Sequence, residues 1–421
     1  MNRSAILALG IVASAAFLFG ELGGAFDAPL DHPAIEYTRR AANDPVARLN
    51  RVLQEDKVQL KFDGAGGYLR SVLEALDVPV ESQLVVFSKT SLQARLISPQ
   101  NPRTIFFNDS VAVGWVRGEP FVEVAAEDPQ RGVIFYTLDQ RATDRPLFQR
   151  TNMCLQCHES YVTLGVPGTL IRSAFPANDG TPLRRLGDYV PDHRSPLDQR
   201  WGGWFVTGKL GTIGHMGNVL VNNPKEGEPA FEKLSPEAMR GVLESGAYLS
   251  PHSDVAAHLV FEHQMHMINL ITRVGWETRF ARYEQRSDFA VRVRDAANEL
   301  VDYMLFIDEA PLGGKIEGTS GFQEMFAGRG PRDHLGRSLR QFDLERRLLR
   351  YPCSYMIYSE AFDALPAEAR EAIYKRIWQV LSGQEKDARY SRFSAADREA
   401  VIEILRDTKN GLPDYFRTIP R

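Results

Sequence analysis

The period of the apolar pattern changes once along this chain of 421 residues, and that change limits the folds open to it. Before about residue 140 the apolar runs are short and separated by turn residues. They are Leu84-Val85-Val86-Phe87, Thr104-Ile105-Phe106-Phe107, Val111 to Val116, Phe121 to Val124, and Val133 to Leu138. Arg117-Gly118-Glu119-Pro120 and Asp128-Pro129 supply turn chemistry between them, which predicts an antiparallel meander. Two helices are predicted ahead of it. One is capped by Asp44 and carries Val46, Leu49, Val52 and Leu53, and the other runs from about Gly67 to Leu76.

From Ser235 onward the apolar residues recur at three and four. Helices are predicted from Ser235, from Asp254 to about Arg273, and from Asp288 to Phe306. Three more follow, over Ser338 to Arg350, Ala367 to Leu381 and Ala395 to Thr408. Pro366 at a helix start, Gly383 after a helix end and Ser394 three residues before Asp397 mark boundaries. The fold class this predicts is α+β: a β-rich segment over 26–230, then a mainly helical segment over 231–421. At roughly 150 residues per domain the length allows two or three domains, or one large one.

Directly after the predicted meander stands Cys154-Leu155-Gln156-Cys157-His158. Two thiols at this spacing followed at once by a histidine form the attachment signature of c-type haem. Each thiol can add across a haem vinyl group, and the adjacent imidazole then lies under the iron as proximal ligand. Cys154 and Cys157 are thus the expected covalent attachment points of one haem c, and His158 its iron ligand. The only other cysteine, Cys353, is expected to be a buried structural thiol. A zinc site would need a second Cys/His pair with finger spacing, and the chain has none.

The first residues fit that chemistry. Asn2-Arg3 precedes an apolar run from Ala5 to Gly20, and Gly23-Gly24-Ala25 offers small residues for cleavage. This is the layout of a secretory signal peptide over residues 1–25, cleaved near Ala25, and it predicts an exported, periplasmic location. An uncleaved N-terminal anchor is the alternative; no other stretch is apolar enough to span a bilayer. With 50 basic against 54 acidic residues the chain has no basic excess, which speaks against nucleic acid as a partner.

The motif resembles that of the c-type cytochromes. The resemblance covers the five residues and a following turn, Gly165-Val166-Pro167-Gly168, where such proteins often place a carbonyl that accepts a hydrogen bond from the ligand histidine. Val166 or Pro167 is the expected donor of that carbonyl. It does not extend further, because a small cytochrome c is mostly helical and carries its motif near the N-terminus. What the resemblance implies is electron transfer with a redox partner protein or a small-molecule donor or acceptor.

The sixth iron position is open on sequence grounds. His215 and Met216, flanked by Gly214 and Gly217, are candidates; so is His263, on the stripe of Leu259, Met267 and Leu270. A vacant position is the remaining alternative, and it would suit a haem-c oxidoreductase or a haem-based sensor. For such an enzyme His193 and Arg194, ahead of Arg200-Trp201-Gly202-Gly203-Trp204, are the candidate catalytic groups. The stripe Asp254, His258, Glu262 and His266 is read as a hydrogen-bonded helix side, with metal ligation the alternative. Arg329, Arg332, Arg337 and Arg340 are read as a salt-bridged surface, with anion binding the alternative. The long Gly-, Pro- and aromatic-rich stretch from Ser160 to Asn222 is expected to wrap the cofactor, adding short strands at Thr169 to Arg172 and Trp204 to Thr207.

Overall fold

A computed structural model describes residues 26, 29–222 and 229–417. The expected signal segment lies outside them. Among the described residues the order of elements begins with helices α1 (Pro45–Gln54) and α2 (Leu69–Ala75). Strands β1 (Leu84–Val86), β2 (Arg103–Phe107), β3 (Val111–Val116), β4 (Phe121–Asp128), β5 (Gly132–Asp139) and β6 (Gln149–Arg150) follow. The short helix α3 (Leu155–His158) comes next, then β7 (Trp204–Phe205), β8 (Val219–Asn222) and β9 (Ala230–Lys233). The helical half comprises α4 (Pro236–Leu243), α5 (Val255–Tyr283), α6 (Phe289–Met304), α7 (Phe322–Gly328), α8 (Glu360–Asp363), α9 (Ala367–Leu381) and α10 (Ala395–Thr408). The predicted α+β class is the observed one, with the sheet first and the helices after it.

The main sheet runs β6-β5-β4-β3-β2-β1-β7, and each neighbouring pair is antiparallel. Because side chains alternate across a strand, the registers Ile105↔Gly114, Gly114↔Glu123 and Ala125↔Phe135 assign two faces. One face carries Phe106, Val113, Trp115, Val124, Ile134 and Tyr136, all buried. There α1 packs on β4, and the Tyr136 hydroxyl donates to Asp44 Oδ2 at 2.7 Å, while Asp44 Oδ1 caps α1 by accepting from Val46 N and Ala47 N. The opposite face carries Arg103, Ile105, Ala112, Gly114, Glu123, Ala125 and Thr137, and all of these but Gly114 are only partly buried. Its far end is closed by α5: Phe107 meets Phe261 with ring centroids 4.7 Å apart, and Gln264 Nε2 donates to Asn108 O at 2.7 Å. Its near end, around Gly114, is lined by small side chains and is less covered.

Helix α5 organises the second half. Asp254 caps it through Ala256 N, and nearly its whole surface is buried, as a helix that is apolar on most sides requires. It extends ten residues past the expected end at Arg273. α6 packs on α5, and α9 on α6. One helix expected from sequence, over Ser338 to Arg350, does not form. Asp343 Oδ1 instead accepts from the backbone of Glu345 and Arg346, and Leu344 has a positive φ of 54°. Backbone bonds Asp343 N to Leu348 O and Arg350 N to Gln341 O close a tight irregular loop. A short acidic side chain that binds its own downstream amides competes with the helix ladder. The possible strand at Thr169 to Arg172 is likewise absent; the nearest ladder contact is an isolated bridge one residue on, Ser173 with Tyr189. No helix among the described residues is long and apolar enough to cross a membrane.

Candidate functional site

The chain leaves β5, adds the short edge strand β6, and turns through Thr151, whose amide donates to Phe135 O at 2.9 Å. That turn delivers α3 to the less covered sheet face. Cys154 stands at the N-terminal end of α3, and Cys157 N donates to Cys154 O at 3.1 Å, so the two thiols lie one turn apart. Neither is in a disulfide; Cys154 is half-buried and Cys157 exposed. Burial pushes the Cys154 thiol up to about 11, and the Glu123 carboxylate adds to that rise. Glu123 itself pairs with Arg103 at 2.6 Å. Arg103 lies across Gly114, where a Cβ would come within 2.3 Å of its guanidinium. Small residues in β3 thus leave room for a large side chain to lie flat on the sheet.

His158 packs against Phe135 with ring centroids 4.9 Å apart. Its Nδ1 is 3.0 Å from Gly168 O. A carbonyl only accepts, so Nδ1 carries the proton and Nε2 keeps its lone pair. Burial pulls the imidazole down to about 4, so the ring is neutral at physiological pH. No group among the described residues bonds Nε2. The expected turn does orient the histidine, but through Gly168 rather than Val166 or Pro167. Pro167 O is taken by Val133 N, and Val166 O by the Thr163 hydroxyl.

The Gly168 carbonyl is held from behind by α5. Asn269 Oδ1 accepts from Thr169 N at 2.9 Å and its Nδ2 donates to Thr169 O at 2.7 Å. Gly168 passes so close that a Cβ would stand 2.1 Å from Asn269 Oδ1. Sequence reading missed Asn269; its place one turn beyond His266, continuing the polar side of α5 through His258 and Glu262, was the available signal.

The other candidates are placed apart from His158, to which no hydrogen bond or ring contact joins them. Both nitrogens of His263 are committed: Nδ1 lies 2.8 Å from His193 Nδ1, and Nε2 2.7 Å from Ser354 Oγ. The two rings stack with Tyr303 and Phe306. Burial pulls His263 down to about 3 and His193 well below its ordinary value, so the pair is neutral. The Met216 sulfur accepts from Ser173 Oγ at 3.6 Å. His215 Nδ1 accepts from Gly217 N at 3.0 Å, in a separate cleft. Arg194 forms a forked pair with Asp192 and lies over the Tyr303 ring, close to His266.

The α5 polar stripe is divided among partners. Asp254 accepts from the Thr319 and Ser320 amides, His258 Nε2 lies 3.0 Å from both Ser253 Oγ and Phe205 O, and Glu262 pairs with Arg200 at 2.9 Å in a fully buried contact. No group of three metal-ligating side chains is assembled among the described residues. The arginine run is bonded: Arg329 pairs with Asp77, Arg337 with Asp333 and Glu403, and Arg332 caps two carbonyls, while Arg340 is buried rather than on the surface and pairs with Asp109. Cys353 is wholly buried.

No protein-family model matches the chain, and neither the curated proteins nor the solved structures give a match.

Proposed function

We propose that this chain is an exported protein that holds one haem c through Cys154 and Cys157, with His158 as the proximal iron ligand, and that it serves electron transfer. The observation that carries the reading is the state of His158: Nδ1–H is fixed on the Gly168 carbonyl, leaving a neutral Nε2 lone pair without a partner beside two unpaired cysteines one helical turn apart. Orientation of a ligand imidazole by a second hydrogen bond sets its tautomer and basicity.

A bound haem would supply a one-electron couple. Each thiol would attach by adding its S–H across a vinyl double bond, which makes one C–S and one C–H bond and needs no oxidant. The chain's own part is to present both sulfurs from α3, hold the His158 ring against Phe135, and keep the β3 positions small at Gly114 and Ala112, with the Arg103–Glu123 pair lying over Gly114. The apolar run at the N-terminus supports export, where such attachment is completed.

A second reading, a haem-c oxidoreductase with a vacant sixth position, is favoured by one specific observation. His263 has no free ring nitrogen, the Met216 sulfur accepts from Ser173, His215 lines a separate cleft, and no hydrogen bond or ring contact joins any of the three to His158.

The test is to produce the full chain in an exporting host with haem-maturation machinery and denature it in acid and organic solvent. A haem mass retained on the polypeptide is expected, and Cys154→Ala or Cys157→Ala should impair retention. A wild-type protein that keeps no haem would sink the proposal. Reduced-state absorbance separates the two readings: low-spin bands insensitive to cyanide indicate a filled sixth position, and a high-spin spectrum that shifts with cyanide a vacant one.

A further inference from the structure

Away from α3, the hairpin of β8 and β9 and the segment from Phe205 to Asn218 enclose an open cleft of about 550 Å³, within the range of small-molecule sites. Its walls include the half-buried apolar side chains Leu210, Ile213 and Leu234. Among the described residues its charged lining is of one sign: Lys233 and Arg240 contribute, and no described aspartate or glutamate does. Lys233 sits at the base of the hairpin, paired with Val219. Neither cation has a carboxylate partner among the described residues, in a chain where arginines elsewhere are extensively paired.

His215 adds a directional group. Its Nδ1 accepts from Gly217 N, so Nε2 carries the proton as a donor lining the cleft. The ring is backed edge-on by Trp201 with centroids 5.3 Å apart. The wall itself is rigidly tied: Asn218 accepts from Val206 N at 2.7 Å and donates to Val206 O at 2.8 Å. A preformed site with apolar walls, two unpaired cations and one neutral N–H donor selects a particular chemistry.

We infer that this cleft binds a small organic carboxylate with an apolar body, the carboxylate held by Lys233 and Arg240 with His215 Nε2–H donating, and the body against Leu210, Ile213 and Leu234. The apolar walls disfavour a bare inorganic anion, and the cations disfavour a neutral ligand of the same shape. The inference does not rest on haem attachment, since none of these residues belongs to α3 or its turn, and it gives His215, a sixth-ligand candidate on sequence grounds, a different role.

Calorimetric titration of the purified full chain tests it with two carboxylates, octanoate and 2-naphthoate, and with 2-naphthamide as a neutral isostere. Saturable binding of one equivalent of at least one carboxylate is expected. The amide should bind about tenfold to a hundredfold more weakly than 2-naphthoate wherever the latter binds, the size expected for charge-assisted hydrogen bonds. Lys233→Gln combined with Arg240→Gln should weaken carboxylate binding by a similar factor. Both side chains are exposed, and an unchanged thermal transition of the double variant confirms that the fold is kept. Failure of both carboxylates to bind, equal affinity for naphthoate and naphthamide, competition by inorganic phosphate at the same concentration, or an unaltered affinity in the double variant would each overturn the assignment.

Discussion

Replacing Asn269 by alanine should damage the fold and the His158 site together. Asn269 is buried on α5 and spends its amide on both backbone groups of Thr169, at 2.9 and 2.7 Å. Thr169 is itself buried. Truncation to alanine leaves an N–H and a C=O without partners, at about 1–3 kcal/mol each, so the expected loss is about 2–6 kcal/mol. That is a large share of the ~5–15 kcal/mol that holds a typical domain together. Asn269→Leu keeps most of the volume but not the hydrogen bonds, and should cost nearly as much. The assay is urea unfolding followed by circular dichroism, with the slope unchanged if the native state stays compact. A local readout goes with it: the Thr169 amide should lose protection from hydrogen exchange beyond what the global loss explains. If the chain carries haem as proposed, the loosened Gly168 carbonyl should also alter the absorbance bands of the haem that His158 would ligate. Both variants unfolding within 0.5 kcal/mol of wild type, with Thr169 protection intact, would refute the clamp.

Four further outcomes are expected. Gly168→Ala should mimic loss of the clamp, since its Cβ would fall 2.1 Å from Asn269 Oδ1; a crystal structure or unfolding curve indistinguishable from wild type contradicts this. Burial lowers His263 to about 3, so its contribution is full above the unfolded value of about 6.5 and declines by about 1.4 kcal/mol for each pH unit below it, down toward the folded value. His263→Gln should therefore flatten the stability-versus-pH curve between about pH 6.5 and 4 by that slope, even if it lowers stability at neutral pH. Arg200→Met alone should cost about 3–5 kcal/mol by leaving Glu262 buried without its cation, and Arg200→Met with Glu262→Leu should cost less, as denaturant titration will tell. The Cys353 thiol, raised to about 12 by burial, should alkylate with iodoacetamide only as fast as the protein unfolds.

Five strands, both early helices and most later ones were legible because each rests on local period and on caps a few residues away. Asp44, Ser235, Asp254 and Ser394 all cap where the pattern places them. The loop at Ser338 to Arg350 was not, because its apolar spacing is compatible with a helix while Asp343 takes the backbone amides first. The small-residue face of β3 was readable in principle: Ala112 and Gly114 alternate with Val111, Val113 and Trp115.

The sequence by itself set Cys154, Cys157 and His158 about one turn of chain apart, the spacing on which the haem proposal rests. It also determined the order of sheet and helices. Only the tertiary structure decided which carbonyl orients His158, because Gly168 wins that role through Asn269, a hundred residues further on. It decided equally that His263 turns to His193 and Ser354. A buried imidazole must satisfy its nitrogens with whatever the fold brings near, and those partners come from loops whose positions no local pattern specifies.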